Sequence, residues 1–190
     1  MSRDSHEDAT CTVDVISHSS AQTQRLGMRL GELLRGGELI LLDGQLGAGK
    51  TTFTQGLAQG MNISAIVNSP TFTLLKEYSG RAQTSADSAA GEHAAQPDER
   101  SLALYHFDLY RLDEVEEIID LGFEDYFYGS GVSVVEWAEK ASALWPADKL
   151  YICIKALNET KRTLLFRATG ARYCELLRQF QKNTYATASS

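Results

Sequence analysis

Glu38-Leu-Ile-Leu-Leu-Asp43 runs without a break into Gly44-Gln45-Leu46-Gly47-Ala48-Gly49-Lys50-Thr51-Thr52, and this stretch decides the fold. Residues 38–43 form a short, nearly continuous apolar run, the pattern of a strand covered on both faces. The residues that follow fit G-x-x-x-x-G-K-[ST] at every fixed position: Gly44, Gly49, Lys50 and Thr51. Glycines at 44, 47 and 49 let the backbone turn so that successive N–H groups face phosphate oxygens. A helix opening near Gly49 adds the positive end of its dipole. Lys50 supplies a mobile point charge for the β- and γ-phosphates, and the Thr51 hydroxyl is a ligand for Mg²⁺. The expectation is a nucleoside triphosphate site built from Gly44 to Thr52.

Outward from this loop, helices and apolar strands alternate. Thr12 to Ile16 reads as a strand. Ser19 or Ser20 caps a helix running to about Leu34, with Gly36-Gly37 as its stop. A helix follows the loop to about Met61. Thr71 to Tyr78 and Leu102 to Phe107 read as strands. Asp113 to Asp120 reads as a helix capped by Asp113, Gly131 to Glu136 as a buried strand, and Ala138 to Leu144 as a short helix before Pro146. Leu150 to Ala156 and Thr163 to Ala168 read as an antiparallel pair, and Ala171 to Lys182 as a closing helix. The fold class this implies is α/β, a P-loop NTPase-like three-layer sandwich with a mixed central sheet.

The length of 190 residues leads to the expectation of a single P-loop ATPase domain over 1–190, with polar tails at 1–10 and 184–190. Residues 81–100 contain no Val, Ile, Leu, Met or aromatic residue, so 79–101 is expected to be a disordered insertion in a hairpin connection. Lys and Arg number 18 against 25 Asp and Glu, a net charge of −7, which argues against gripping nucleic acid alone through phosphate neutralisation. No run approaches the length of a membrane span, and Met1 to Thr10 lacks the basic start and apolar centre of a signal peptide. A cytoplasmic chain with no membrane partner is the expectation. Cys11, Cys153 and Cys174 are odd in number and far apart, so neither a disulfide framework nor a zinc site is expected.

Two acidic residues close apolar runs: Asp108 after LALYHF and Glu136 after GVSVV. Both belong at the carboxyl edge of the sheet, where ligands collect in such folds. Spacing does not decide which binds metal and which orients the attacking water. His106 lies two residues before Asp108, on the same strand face, where a His–Asp pair positions water or a partner group, or the histidine serves the structure alone. No N-K-x-D motif occurs, nor the H-R-D and D-F-G pair of protein kinases. A small-molecule P-loop kinase and a non-catalytic nucleotide switch both stay open at this point.

GQLGAGKTTF, then Ser69-Pro-Thr-Phe-Thr-Leu74, then Tyr105-His-Phe-Asp-Leu-Tyr-Arg-Leu112, then Val135-Glu-Trp137 occur in this order. In series, from about Ser17 to Thr169, they resemble the bacterial TsaE (YjeE) family, the ATPase component of tRNA threonylcarbamoyladenosine biosynthesis. The resemblance implies a slow, Mg²⁺-dependent ATPase that touches tRNA only indirectly. Its partner would be a TsaB–TsaD heterodimer, which modifies adenosine 37 of tRNAs reading codons that start with A. By position it implies Lys50 on phosphates, Thr51 and Glu136 on Mg²⁺, and Asp108 in water positioning or support of the metal. Thr71 would be a switch threonine near the γ-phosphate, Trp137 a neighbour of the nucleotide, and Thr23 a residue approaching the base. Arg111 is a candidate arginine finger or a partner contact. Two features depart from the family pattern: Gln45, where Asp or Glu is usual, and the length of the 79–101 insertion.

Overall fold

Leu39, Leu41 and Leu42 of the apolar run, with Ile40, are all buried, and they place strand β2 (Leu39–Asp43) at the centre of a seven-stranded sheet. The computed structural model describes residues 9–81 and 101–186. Its other strands are β1 (Thr10–Ser17), β3 (Leu75–Arg81), β4 (Ser101–Asp108), β5 (Val132–Glu136), β6 (Lys149–Ala156) and β7 (Arg162–Thr169). The order is β1-β7-β6-β2-β5-β4-β3. β6, β2, β5 and β4 run parallel, while β7, β1 and β3 add antiparallel edges. The sheet is therefore mixed, as the alternation of elements predicts, and the class is P-loop NTPase-like α/β.

Alternate residues of the sheet feed two cores. On one face Ile40, Leu42, Leu104, Val134 and Ile152 meet helices α1 (Ser20–Gly31), α2 (Lys50–Gly60) and α5 (Ala171–Ala186). On the other, Leu39, Leu41, Phe107 and Val135 meet α3 (Val115–Asp120), α4 (Glu124–Phe127) and a 3-10 segment, Ala138–Leu144. Phe107 lies edge-on to Phe123, Tyr126 and Phe127 there. Each fully buried side chain of this size contributes about 1.5–3 kcal/mol.

Helix α1 begins where Ser19 accepts from Gln22 N at 3.1 Å, one of the two caps expected. It ends at Gly31, short of Leu34, and it crosses α2 in backbone contact. A Cβ on Gly27 would sit 2.1 Å from Phe53 O, and one on Gly56 would sit 1.8 Å from Gln24 O. This close approach seats α2, and with it the phosphate-loop end of the helix, against the sheet.

Several boundaries differ from expectation. Residues 71–73 form a turn, and β3 begins only at Leu75, because Thr73 N and Leu74 N both bond back to Pro70 O at 2.9 and 2.7 Å. The α3 helix starts after Glu114, where Glu117 Oε1 accepts from Glu114 N at 3.1 Å, so Asp113 is not its cap. Helix α4 was not anticipated. The short helix before Pro146 is a 3-10 segment kinked at Ala141. Thr10 belongs to β1 and residues 184–186 to α5, which shortens both expected tails. The expected insertion lies outside the described residues except where 79–81 and 101 complete the β3–β4 hairpin.

The cysteines depart most. Cys11 and Cys174 are disulfide-bonded, with Cα atoms 5.5 Å apart at a sequence separation of 163, and Cys153 keeps its thiol. Edge strand β1 pairs with β7, and α5 turns back from the end of β7 over β1, which brings the two positions together. Sequence spacing carries no sign of that return.

Candidate nucleotide-binding site

The loop after β2 turns through positive φ at Gly44, Gly47 and Gly49 before α2 begins. At Gly44 the constraint is also one of space, since a Cβ would lie 2.2 Å from Ile154 O of the neighbouring strand. Ala48 N closes the turn onto Gln45 O at 3.0 Å. The Gln45 side chain is exposed, so its departure from the family pattern leaves the backbone cradle intact. Arg162, from the start of β7, donates through Nε to Ala48 O at 3.2 Å and ties the loop to the β6–β7 hairpin. Nothing in the sequence pointed to Arg162.

Lys50 is buried and folded back over its own loop. Its ammonium donates to Gly44 O at 2.6 Å and to Gln45 O at 3.2 Å, and lies 3.9 Å from the centre of the Trp137 ring. Burial lowers its pKa, while the carboxylates of Glu136, Glu139, Asp108 and Asp43 act in the opposite direction. Trp137 is held at φ 61°, a left-handed conformation that costs a bulky residue about 1–3 kcal/mol. Its N–H bonds to Leu42 O at 3.0 Å, and its ring meets Tyr110 at 5.0 Å.

Parallel registry brings the acidic strand ends together. Glu136 is level with Leu42 on one side and with Asp108 on the other. Both carboxylates are buried. Glu136 Oε1 accepts from Thr51 Oγ1 at 3.0 Å, so the two expected metal ligands meet. Asp108 is differently engaged. Its Oδ2 accepts from Thr71 Oγ1 at 2.5 Å and from Ser69 Oγ at 3.0 Å, and its Oδ1 accepts from Tyr110 N at 2.9 Å. Asp108 therefore anchors the 69–74 turn. His106 pairs with Glu136, at 2.9 Å, and not with Asp108. A strand neighbour two residues away points the same way, but the diagonal residue on the adjacent strand is the one within reach.

Leu46, Gly47, Gly49 to Thr52, Ser69, Thr71, Asp108, Tyr110, Glu136 and Trp137 line a cavity of about 300 Å³. Thr23 is not among them. Its hydroxyl bonds to Ser17 Oγ at 2.8 Å, and only its methyl side comes near Gly49. Arg111 stacks over the exposed Phe72 ring at 4.3 Å, on the 69–74 turn and not in the cavity lining.

The donor chemistry suits Mg²⁺ with a polyphosphate. Mg²⁺ takes oxygen ligands and needs few from the protein, and one hydroxyl and one carboxylate meet at the cavity. Among the described residues there is no cluster of three or more His, Cys, Asp or Glu able to cage a metal unaided. Nor is any helix among them long and apolar enough to cross a membrane.

A family model described as "Threonylcarbamoyl adenosine biosynthesis protein TsaE" matches residues 17–164. The chain is 39% identical over 159 residues to a Bacillus subtilis (strain 168) protein described as tRNA threonylcarbamoyladenosine biosynthesis protein TsaE, covering 82% of this chain and 87% of that one. A protein of the same description from Treponema pallidum (strain Nichols) is 37% identical over 149 residues, covering 78% and 96%. Among solved structures, "Crystal structure of Bacillus subtilus YdiB" superposes with a TM-score of 0.71 at 31% identity, covering 93% of this chain and 98% of that one. Motif order, sheet topology and these likenesses agree: the chain belongs to the TsaE family, whose curated members are named for tRNA threonylcarbamoyladenosine biosynthesis.

Proposed function

We propose that this protein binds ATP with Mg²⁺ and hydrolyses it as a subunit serving a TsaB–TsaD heterodimer that threonylcarbamoylates adenosine 37 of tRNA. The observation that carries this reading is the meeting of Thr51 and Glu136 beside the glycine cradle and Lys50. Lys50 exchanges its Gly44 and Gln45 carbonyl partners for phosphate oxygens when the nucleotide enters. The loop amides and the α2 N-terminus hold the remaining phosphate charge. Thr51 and Glu136 hold Mg²⁺, which when bound supplies charge neutralisation on the phosphates. Asp108 keeps Ser69 and Thr71 at the cavity wall, where Thr71 serves the γ-phosphate and Asp108 orients the attacking water.

A partner-dependent cycle fits the surface. Leu46 and Phe72, 80% and 84% exposed, belong to the phosphate loop and the 69–74 turn, two segments that border the cavity. Exposed apolar side chains of this size at a site suit a protein partner better than solvent. With a net charge of −7, the tRNA would be held by that partner. The test is phosphate release from Mg²⁺-ATP by the chain alone and with purified TsaB–TsaD. Slow release alone and faster release with the pair is expected. Binding without release in either case would make the protein a nucleotide switch. Phosphate transfer to a metabolite without partners would make it a kinase.

A further inference from the structure

His106 is fully buried in β4 and none of the steps above uses it. Its Nε2 lies 2.9 Å from Glu136 Oε1, while its Nδ1 has no hydrogen-bond partner among the described residues. Buried polar atoms are normally paired, so the direction of the one bond this imidazole makes is informative. Here the single bond made goes to the carboxylate at the cavity. Because that oxygen accepts, Nε2 is the nitrogen carrying the hydrogen. The bond also follows from registry: His106 is level with Val134, and Glu136 is two residues further along β5 on the same face. Glu136 Oε1 thus takes two donors, Thr51 Oγ1 and His106 Nε2, and no described residue bonds Oε2.

We propose that His106 is a positioning residue: its Nε2–H fixes the Glu136 carboxylate, with Oε2 unclaimed, in the orientation that serves the Mg²⁺ of bound nucleotide. The inference rests on the Mg²⁺-ATP reading above. Hydrogen-bonded partners behind metal-binding side chains typically change metal affinity about 10–100-fold when removed.

Two substitutions separate the donor from the ring. Gln, in His106→Gln, reaches as far as Nε2 and keeps an N–H there. Leu, in His106→Leu, keeps the bulk and removes the donor. ATP affinity is measured by calorimetry with Mg²⁺ and again in EDTA, alongside thermal unfolding. The ratio of the two affinities is expected to fall about 10–100-fold in His106→Leu. It should stay near the wild-type ratio in His106→Gln, with affinity in EDTA unchanged in both. A wild-type ratio in folded His106→Leu, or an equal loss in both variants, overturns the proposal. Where His106→Leu does not fold, His106→Asn takes its place, since its amide sits at the Nδ1 position and does not reach Glu136. Wild-type protein that binds no ATP in either buffer would defeat the nucleotide reading itself, an outcome distinct from unchanged variants.

Discussion

The Thr51 hydroxyl donates to Glu136 Oε1 at 3.0 Å across 85 residues of chain. The bond joins the first turn of α2 to the end of β5, and only the parallel pairing of β2 with β5 makes it possible. If this pair holds Mg²⁺, Glu136→Gln keeps the size of the side chain and removes its charge. Mg²⁺-dependent ATP affinity is then expected to drop by about 100-fold or more, while affinity in EDTA changes little. Calorimetry in the two buffers checks it.

Asp108 leads to a different outcome. Its carboxylate carries Ser69, Thr71 and the Tyr110 amide. Asp108→Ala frees the 69–74 turn without removing a hydrogen-bond partner of the loop amides or of Lys50. ATP binding is expected to stay within about threefold of wild type, while phosphate release slows about 100-fold, the low end for a positioned proton-handling group. Equal loss of binding in Asp108→Ala and Glu136→Gln would sink this division of roles.

Trp137 should report the nucleotide. Its ring covers the Lys50 ammonium at 3.9 Å in the folded-back arrangement. When ATP draws Lys50 to the phosphates, that contact breaks and the indole emission changes. The other tryptophan, Trp145, bonds through Nε1 to Ala138 O at 2.8 Å and lies outside the cavity lining. A Trp145→Phe background isolates the signal. Stopped-flow emission should respond to ATP there, and the response should vanish in Lys50→Met.

The acid pair under the loop sets a pH dependence. Burial and a hydrogen bond to Asp43 raise the Glu139 pKa from 4.5 to about 7. The folded state thus favours protonated Glu139. This contribution is fully present below about pH 4.5 and is lost as pH rises through about 7. Glu139 is exposed enough that solvent screens part of the effect. Glu139→Gln mimics the protonated acid at every pH. It should match wild type near pH 4.5 and unfold at a higher temperature than wild type at pH 8, as scanning calorimetry would record.

The α1–α2 crossing tolerates no side chain. In Gly56→Ala the new methyl lies 1.8 Å from a backbone oxygen, so the helices must part. Overpacking of this kind costs about 1–3 kcal/mol. For a chain this long each kcal/mol lowers Tm by about 2–4 °C. Because α2 carries Lys50 and Thr51, ATP affinity should weaken with it. A variant as stable as wild type would show that the crossing is slack.

Local chemistry made much of this protein legible from its residues alone. The loop from Gly44 to Thr52 is contiguous, and its own glycines set its turn between β2 and α2, so its shape was legible from spacing. Periodicity located β2, β5, β6, β7 and the helices flanking the loop, because burial on one or both faces repeats along each element. The acids at 108 and 136 were visible as strand ends. What each binds was not, because that depends on registry between strands far apart in the chain. Tertiary packing alone paired Glu136 with Thr51 and His106, assigned Asp108 to the 69–74 turn, and turned Thr23 toward Ser17. It also brought Cys11 to Cys174, laid Arg162 against the loop and pressed the glycines of α1 and α2 together. The division has one physical cause. A contact within a turn of chain is set by covalent geometry and local hydrogen bonding, whereas a contact between distant residues exists only once the sheet order has been chosen by burying both of its faces.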